Sequence, residues 1–317
     1  MAQHIPPGGV WCPAATFFNP ETDELDLESQ AAYYSYLSRT GLAGLVILGT
    51  NAEAFLLTRE ERKALIATAR KAVGPNFPIM AGCGLHSTKQ VLELISDAAD
   101  AGANSVLVLP PAYFGKATTP EVIERFYGDV SKGSKLPIVI YNFPGVCNGV
   151  DLGSDIITKL ANKYPNIVGT KLTCGSVAKI TRLAAALPNF ATFGGQSDFI
   201  IGGLSSGSVG CIAAFANVAP KTIVRIYDLY REGKYQEALE LHKKAALAEQ
   251  YIKAGIGATK FAAAIRTATA AGITDPVTKL QPRTPYIAPT DAAKEAIRNG
   301  TEEVAKIEAD LPLRSQL

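Results

Sequence analysis

Between residues 8 and 213 the chain alternates, eight times, a short apolar run bounded by Gly, Pro or Asn with a longer stretch of helical periodicity. A chain that repeats strand and helix in this way builds a parallel sheet through right-handed crossovers, and an eightfold count favours closing that sheet on itself. The strands are read at Gly8–Phe18, Gly44–Leu48, Pro78–Gly82, Ser105–Pro110, Pro137–Tyr141, Ile167–Lys171, Phe190–Phe193 and Val209–Ala213. Most are continuous apolar runs, as strands buried on both faces should be. The expected fold class is α/β, a (β/α)8 TIM barrel.

The helices carry their own punctuation. Thr58-Arg-Glu-Glu61 has capping-box spacing and opens a helix running to about Val73. Thr119-Pro120 pairs an N-cap with proline at the first helical position, and Gly41 and Gly102 stop the helices before them. After Pro220 the strand signals cease, and residues 222–231, 234–254, 259–271 and 290–309 read as Ala-rich amphipathic helices. The expected division is a catalytic barrel over residues 1–231 and a C-terminal helical domain over 232–317, the latter serving as scaffold or oligomer contact.

Charge and cysteine usage narrow the partners. Net charge is +2 with no Lys/Arg-dense block, which argues against nucleic acid or an anionic membrane and for a small molecule. Met1–Gly9 lacks a basic n-region and an apolar h-region, and no run reaches the roughly 18 apolar residues of a membrane span, so a cytoplasmic protein is expected. The five cysteines are odd in number and never in CxxC, which reads as reduced thiols without a structural zinc. His4, His86 and His242 lie far apart, so no metal site is expected.

Chemistry concentrates at the strand ends, where barrels build active sites. Lys171 closes the run Ile-Val-Gly-Thr-Lys, and a lysine buried there is costly to keep charged, which favours the neutral amine that attacks a ketone. A snorkelling or salt-bridged lysine is the alternative. Tyr141 closes the preceding strand and can pass protons near an imine, or simply pack. Gly49-Thr50-Asn51-Ala52-Glu53 offers backbone N–H groups, a hydroxyl and an amide to a carboxylate, or is an ordinary turn. Gly82-Cys-Gly84 lacks the third glycine of a dinucleotide loop, and Cys174 has no histidine placed to activate it.

Together these segments resemble the dihydrodipicolinate synthase / N-acetylneuraminate lyase family of pyruvate-dependent class I aldolases, over about Gly8 to Pro285. The motifs are Gly49–Glu53, Pro111-Ala112-Tyr113, Tyr141-Asn142-Phe143-Pro144, Gly169-Thr170-Lys171, and Gly210-Cys-Ile212 with Ala216-Asn217. The resemblance implies that Lys171 forms the Schiff base with pyruvate and Tyr141 shuttles protons. It implies that Thr50 links Tyr141 to a Tyr113 lent by a neighbouring subunit, and that Thr50 and Asn51 hold the carboxylate. The substrate-binding set it implies is Gly49, Thr50, Asn51, Gly195, Gln196, Ser197 and Ile212. No cofactor beyond the covalent imine is implied, and the family assembly is a homotetramer, a dimer of dimers.

Within the family, Pro144-Gly-Val-Cys-Asn148-Gly149 lacks the arginine that grips aspartate semialdehyde in dihydrodipicolinate synthases, and looks like fungal 2-keto-3-deoxy-L-galactonate aldolases. Asn148, Gln196 and Ser197 would give a neutral pocket suited to a polyhydroxy aldehyde. The expected function is cleavage of a 2-keto-3-deoxy sugar acid to pyruvate and a hydroxyaldehyde such as glyceraldehyde. Dihydrodipicolinate synthase, 4-hydroxy-2-oxoglutarate aldolase and a non-catalytic keto-acid-binding barrel are the alternatives.

Overall fold

A computed structural model describes residues 5–314 of the chain. His4 and the first residues of the N-terminal leader reading therefore lie outside the described residues. Eight strands close into a barrel in chain order, and every neighbouring pair runs parallel, β8 with β1 included. They are β1 (Gly9–Pro13), β2 (Gly44–Ile47), β3 (Ile79–Gly82), β4 (Ser105–Val108), β5 (Ile138–Asn142), β6 (Ile167–Leu172), β7 (Ala191–Gly194) and β8 (Gly210–Ile212). One helix follows each: α1 (Leu27–Ser38), α2 (Arg59–Val73), α3 (Thr88–Asp100), α4 (Pro120–Gly133), α5 (Ser154–Lys163), α6 (Val177–Ala186), α7 (Ile200–Ser205) and α8 (Pro220–Arg231).

Apolar side chains fill two concentric layers. Trp11, Val46, Met80, Val139, Phe193 and Ile212 pack inside the barrel. Leu45, Ile79, Val106 and Ile140 point the other way, into a shell shared with helix residues such as Leu65, Val91, Ile123 and Ile180. Successive strand residues alternate between two dry environments, which is why the sequence shows unbroken apolar runs. Thr58 and Glu61 make the reciprocal capping box on α2, and Thr119 caps α4 with Pro120 in its first turn.

Register slips once, and the slip matters. Ile138 pairs with Ile167 but Val139 with Gly169, leaving Val168 as an extra residue on β6. Val168 packs with the interior cluster, and the bulge carries Gly169 and Lys171 into phase with Ala191 and Phe193 of that cluster. Glycine is required at 169, because a Cβ there would sit 2.6 Å from the Ala191 carbonyl oxygen.

Several boundaries differ from the sequence reading. β1 ends at Pro13, not Phe18, because the ladder hands over to side-chain amides: Asn217 accepts from Ala15 N–H at 3.0 Å, and Gln30 from Phe17 N–H at 2.9 Å. The six-residue α7 was not predicted, since Gly202-Gly203 weakens its helical signal. Past α8, the stretch 234–254 resolves into α9 (Tyr235–Glu249) and a 3-10 turn at Gln250–Ile252, followed by α10 (Ile256–Ala263). The short α11 (Pro276–Lys279) comes next, and the stretch 290–309 splits into α12 (Asp291–Gly300) and α13 (Glu302–Asp310) at Thr301. Among the described residues no helix is long and apolar enough to cross a membrane.

Candidate active site

The β5–β6 register sets Tyr141 opposite Lys171 at the carboxyl ends of their strands. Lys171 is 2% exposed; its Nζ donates to the Tyr141 hydroxyl at 3.2 Å and lies 4.2 Å from the ring centroid. Among the described residues no carboxylate forms an ion pair with it, so no counter-ion holds the amine away from a carbonyl. Thr50 Oγ1 lies 3.4 Å from the Tyr141 hydroxyl, which makes a three-member chain of Lys171, Tyr141 and Thr50. Below it, Phe193 meets Trp11 edge-on at 6.2 Å, and Ile212 pairs with Trp11, so the floor is dry.

Gly49, Thr50 and Asn51 leave β2 through a 3-10 turn, Thr50–Ala52. The turn is bracketed by two non-glycine residues at left-handed φ, Leu48 at +66° and Glu53 at +55°. Gly82 permits this path, since a Cβ on it would meet the Leu48 carbonyl oxygen at 1.9 Å. The glycines of Gly82-Cys-Gly84 thus serve packing. His86 accepts from Ala112 N–H at 3.2 Å and so supports the Pro111–Tyr113 turn.

Other predicted residues fall differently. Tyr113 is 74% exposed, beside His86 and Phe114, and forms no hydrogen bond to Thr50 within the chain. Gly195 follows β7 and donates its N–H to Leu172 at 3.0 Å, while the Gln196 side chain accepts from Lys253 at 3.0 Å. Ser197 does not offer its polar groups to a ligand: its hydroxyl and N–H both go to Glu249, at 2.5 and 3.3 Å, and its carbonyl to His242 at 2.9 Å. Asn148 is bound to Ala112 O at 3.5 Å and lines an outer cavity of about 380 Å³ with Gly115, Lys116 and Asp151, separate from the one lined by Thr50 and Tyr141. Asn142 and Asn217 are structural. The first ties Asp151 and Leu152 back to β5, and the second bridges Pro13 and Ala15.

Sequence reasoning missed four buried polar residues. Arg62 lines the cavity with Thr50 and Tyr141, has no partner for its Nε among the described residues, and is pulled below the usual guanidinium range by burial. Its signal was available, because Arg62, Leu65, Ile66 and Ala69 share one buried helix face. Glu249, His242 and Lys260 lie on helices read as scaffold, where periodicity gives no hint of their partners. Burial lifts Glu249 to about 7 and lowers His242.

The chain is similar to known proteins over nearly its whole length. The family model described as the dihydrodipicolinate synthetase family matches residues 6–302. A protein of Coccidioides immitis, provisionally named a mitochondrial 4-hydroxy-2-oxoglutarate aldolase, is 68% identical over 98% of this chain and 100% of its own. The L-threo-3-deoxy-hexylosonate aldolase of Hypocrea jecorina is 37% identical over 98% of this chain and 100% of its own. A crystal structure of a dihydrodipicolinate synthase family protein from Coccidioides immitis superposes with a TM-score of 0.93 at 65% identity, covering 98% of this chain and 100% of that one. The mitochondrial name overturns the expectation of a cytoplasmic protein. That expectation weighed only the signals of secretion and membrane spanning, whereas mitochondrial leaders are amphipathic and Arg-rich. A family model that spans nearly the whole chain, relatives matched end to end and a shared closed barrel place this protein in the dihydrodipicolinate synthetase family.

Proposed function

We propose that the chain is a class I aldolase that cleaves a 2-keto-3-deoxy sugar acid of the L-galactonate type to pyruvate and a hydroxyaldehyde such as glyceraldehyde. The observation that carries this reading is the buried Lys171 amine, free of any ion pair among the described residues and 3.2 Å from the Tyr141 hydroxyl. Lys171 Nζ adds to the C2 carbonyl, and Tyr141 gives its proton to the departing hydroxyl, so that water leaves and a protonated imine and a Tyr141 phenolate remain. Tyr141 takes the proton of the C4 hydroxyl, the C3–C4 bond breaks, and its electron pair passes into the imine as an enamine while the aldehyde leaves. Tyr141 returns the proton toward C3, and water then hydrolyses the imine to pyruvate and free lysine. Thr50 and Asn51 hold the carboxylate, and no metal or cofactor takes part.

The exposed aromatic row Phe55, Tyr113 and Phe114 supports an assembly in which Tyr113 of a second copy reaches Thr50 and completes the proton chain. A homotetramer would bury that row.

A second reading, 4-hydroxy-2-oxoglutarate cleavage, is favoured by the name of the 68% identical relative and by the Arg62 guanidinium, whose Nε has no partner among the described residues and whose charge would neutralise a second carboxylate. Borohydride trapping with pyruvate, followed by peptide mass spectrometry, tests the imine: one adduct on Lys171 is expected, and none would refute the reaction class. Comparing kcat/KM on the sugar acid and on 4-hydroxy-2-oxoglutarate separates the two readings.

A further inference from the structure

The turn bearing Thr50 and Asn51 is held in place by residues far away in sequence. Its last residue, Glu53, keeps a left-handed backbone at φ +55° that costs a glutamate free energy, and Leu48 at the other end does the same. Such a conformation persists where surrounding contacts over-determine it. Here the contacts come from α10 and from the segment between α11 and α12. Lys260 of α10 reaches Glu53 Oε2 at 2.5 Å, with the two side chains 0% and 3% exposed. The backbone N–H of Arg283 donates to Glu53 Oε1 at 2.8 Å. The Arg283 guanidinium continues outward to Glu61, Asp23 and the Leu56 carbonyl, at 2.7 to 3.1 Å. Lys260 and Arg283 both lie over the ring of Phe18, at 4.6 and 5.1 Å.

We propose that Lys260 and Glu53 are a positioning pair for the aldolase reaction: the buried ion pair fixes the strained 48–53 turn, and with it the Thr50 hydroxyl against Tyr141 and the carboxylate-holding face of Thr50 and Asn51. The pair touches no substrate atom and acts through Thr50. This inference rests on the lysine-imine reading above and extends it, since it makes the helices after the barrel part of the active site. A carboxylate and an ammonium this deep are each costly alone, so removing one partner strands the other, whereas removing both leaves a smaller penalty.

The electrostatics of the pair point the same way. Burial lowers the Lys260 ammonium to about 8, against the opposing pull of Glu53, the carboxylate that faces it. The other groups facing the pair are the Arg283 backbone N–H and the Phe18 ring. Raising pH through this value should discharge Lys260 and loosen the clamp.

The experiment is borohydride trapping of the full chain with pyruvate from mildly acidic to alkaline pH, comparing wild type with Lys260→Met, Glu53→Gln and the double variant, alongside kcat and KM on the sugar acid. Misplacement of a binding group by an ångström can cost about 10²-fold, so each single variant should weaken half-saturation by pyruvate at least tenfold, while the Lys171 adduct still forms at saturation. Wild-type half-saturation should weaken as pH rises through about 8, and the double variant, weak throughout, should show no such step. Folded single variants with wild-type half-saturation would overturn the proposal, as would the same alkaline step in the double variant. If the single variants fail to fold, the pH dependence of the double variant decides. Absence of any Lys171 adduct in the wild type would instead refute the imine reading itself.

Discussion

The mouth of the barrel is built in two ways, and they behave differently. Tyr141 and Lys171 are strand residues, paired in register across β5 and β6 and fixed by the backbone ladder on either side. The 48–53 turn and the Gly195–Asp198 segment are loops held from the C-terminal region: buried Lys260 on Glu53, buried Glu249 and His242 on Ser197, and the exposed Lys253, just past the 3-10 turn, on Gln196 and Asp198. On the proposed function, the strand half supplies the reacting groups. On the same reading the loop half serves recognition, and its geometry depends on contacts between residues 45 to 207 positions apart.

If that division is right, damage to the strand half should abolish chemistry, and damage to the loop half should shift binding. Lys171→Ala removes the nucleophile, and turnover should fall about 10³-fold or more, measured as pyruvate release under single-turnover conditions. A variant retaining a tenth of the wild-type rate would remove Lys171 from the mechanism. Tyr141→Phe keeps the ring under the amine but deletes the proton carrier, and kcat should drop about 10²-fold with little change in KM. An equal rise in KM would move Tyr141 into the recognition half.

Thr50 straddles the halves, which makes it the sharper probe. It sits on the loop, but its hydroxyl is 3.4 Å from Tyr141. Thr50→Val should lower kcat about tenfold through the lost hydrogen bond and raise KM for the keto acid by a similar factor. A pure KM effect would mean that Tyr141 needs no relay, and a pure kcat effect that the carboxylate lies elsewhere.

The same division explains what could be read in advance. Eight strands, the α2 capping box, the Thr119-Pro120 start of α4 and the pairing of Tyr141 with Lys171 follow from local pattern, because apolar runs, caps and strand ends are written in consecutive residues. The β6 bulge at Val168 has no consecutive signature beyond Gly169. Ser197 is expected as a ligand from the family resemblance; that Glu249, 52 residues on, consumes both its hydroxyl and its N–H is invisible without the fold. Arg62 shows the opposite error, since a charge on a buried helix face was legible and passed over. Localisation is a third case, since the absence of secretion and membrane-span signals does not bear on the mitochondrial naming of the relatives.

Glu249 offers the mildest way to test the loop half, since it changes a charge and almost no shape. Burial raises its carboxyl from 4.5 to about 7, opposed by the Ser197 hydrogen bonds and Lys253. The folded chain thus binds this proton more tightly than the unfolded chain. Its contribution to stability is complete below the unfolded value of 4.5 and is lost as pH rises through 7, amounting to roughly 3 kcal/mol at one pKa unit per 1.36 kcal/mol. Glu249→Gln keeps an acceptor for Ser197 N–H and a donor for its hydroxyl but cannot titrate. The variant should therefore lose less stability than wild type between pH 5 and 8, by about 5 °C in Tm, while kcat stays within about twofold. A wild-type Tm that falls no more than that of Glu249→Gln over this range would mean that the carboxylate is already ionised throughout, with Lys253 compensating it. The Ser197 lock would then be a salt-bridged anchor, and the loop half would be insensitive to pH on this side of the barrel.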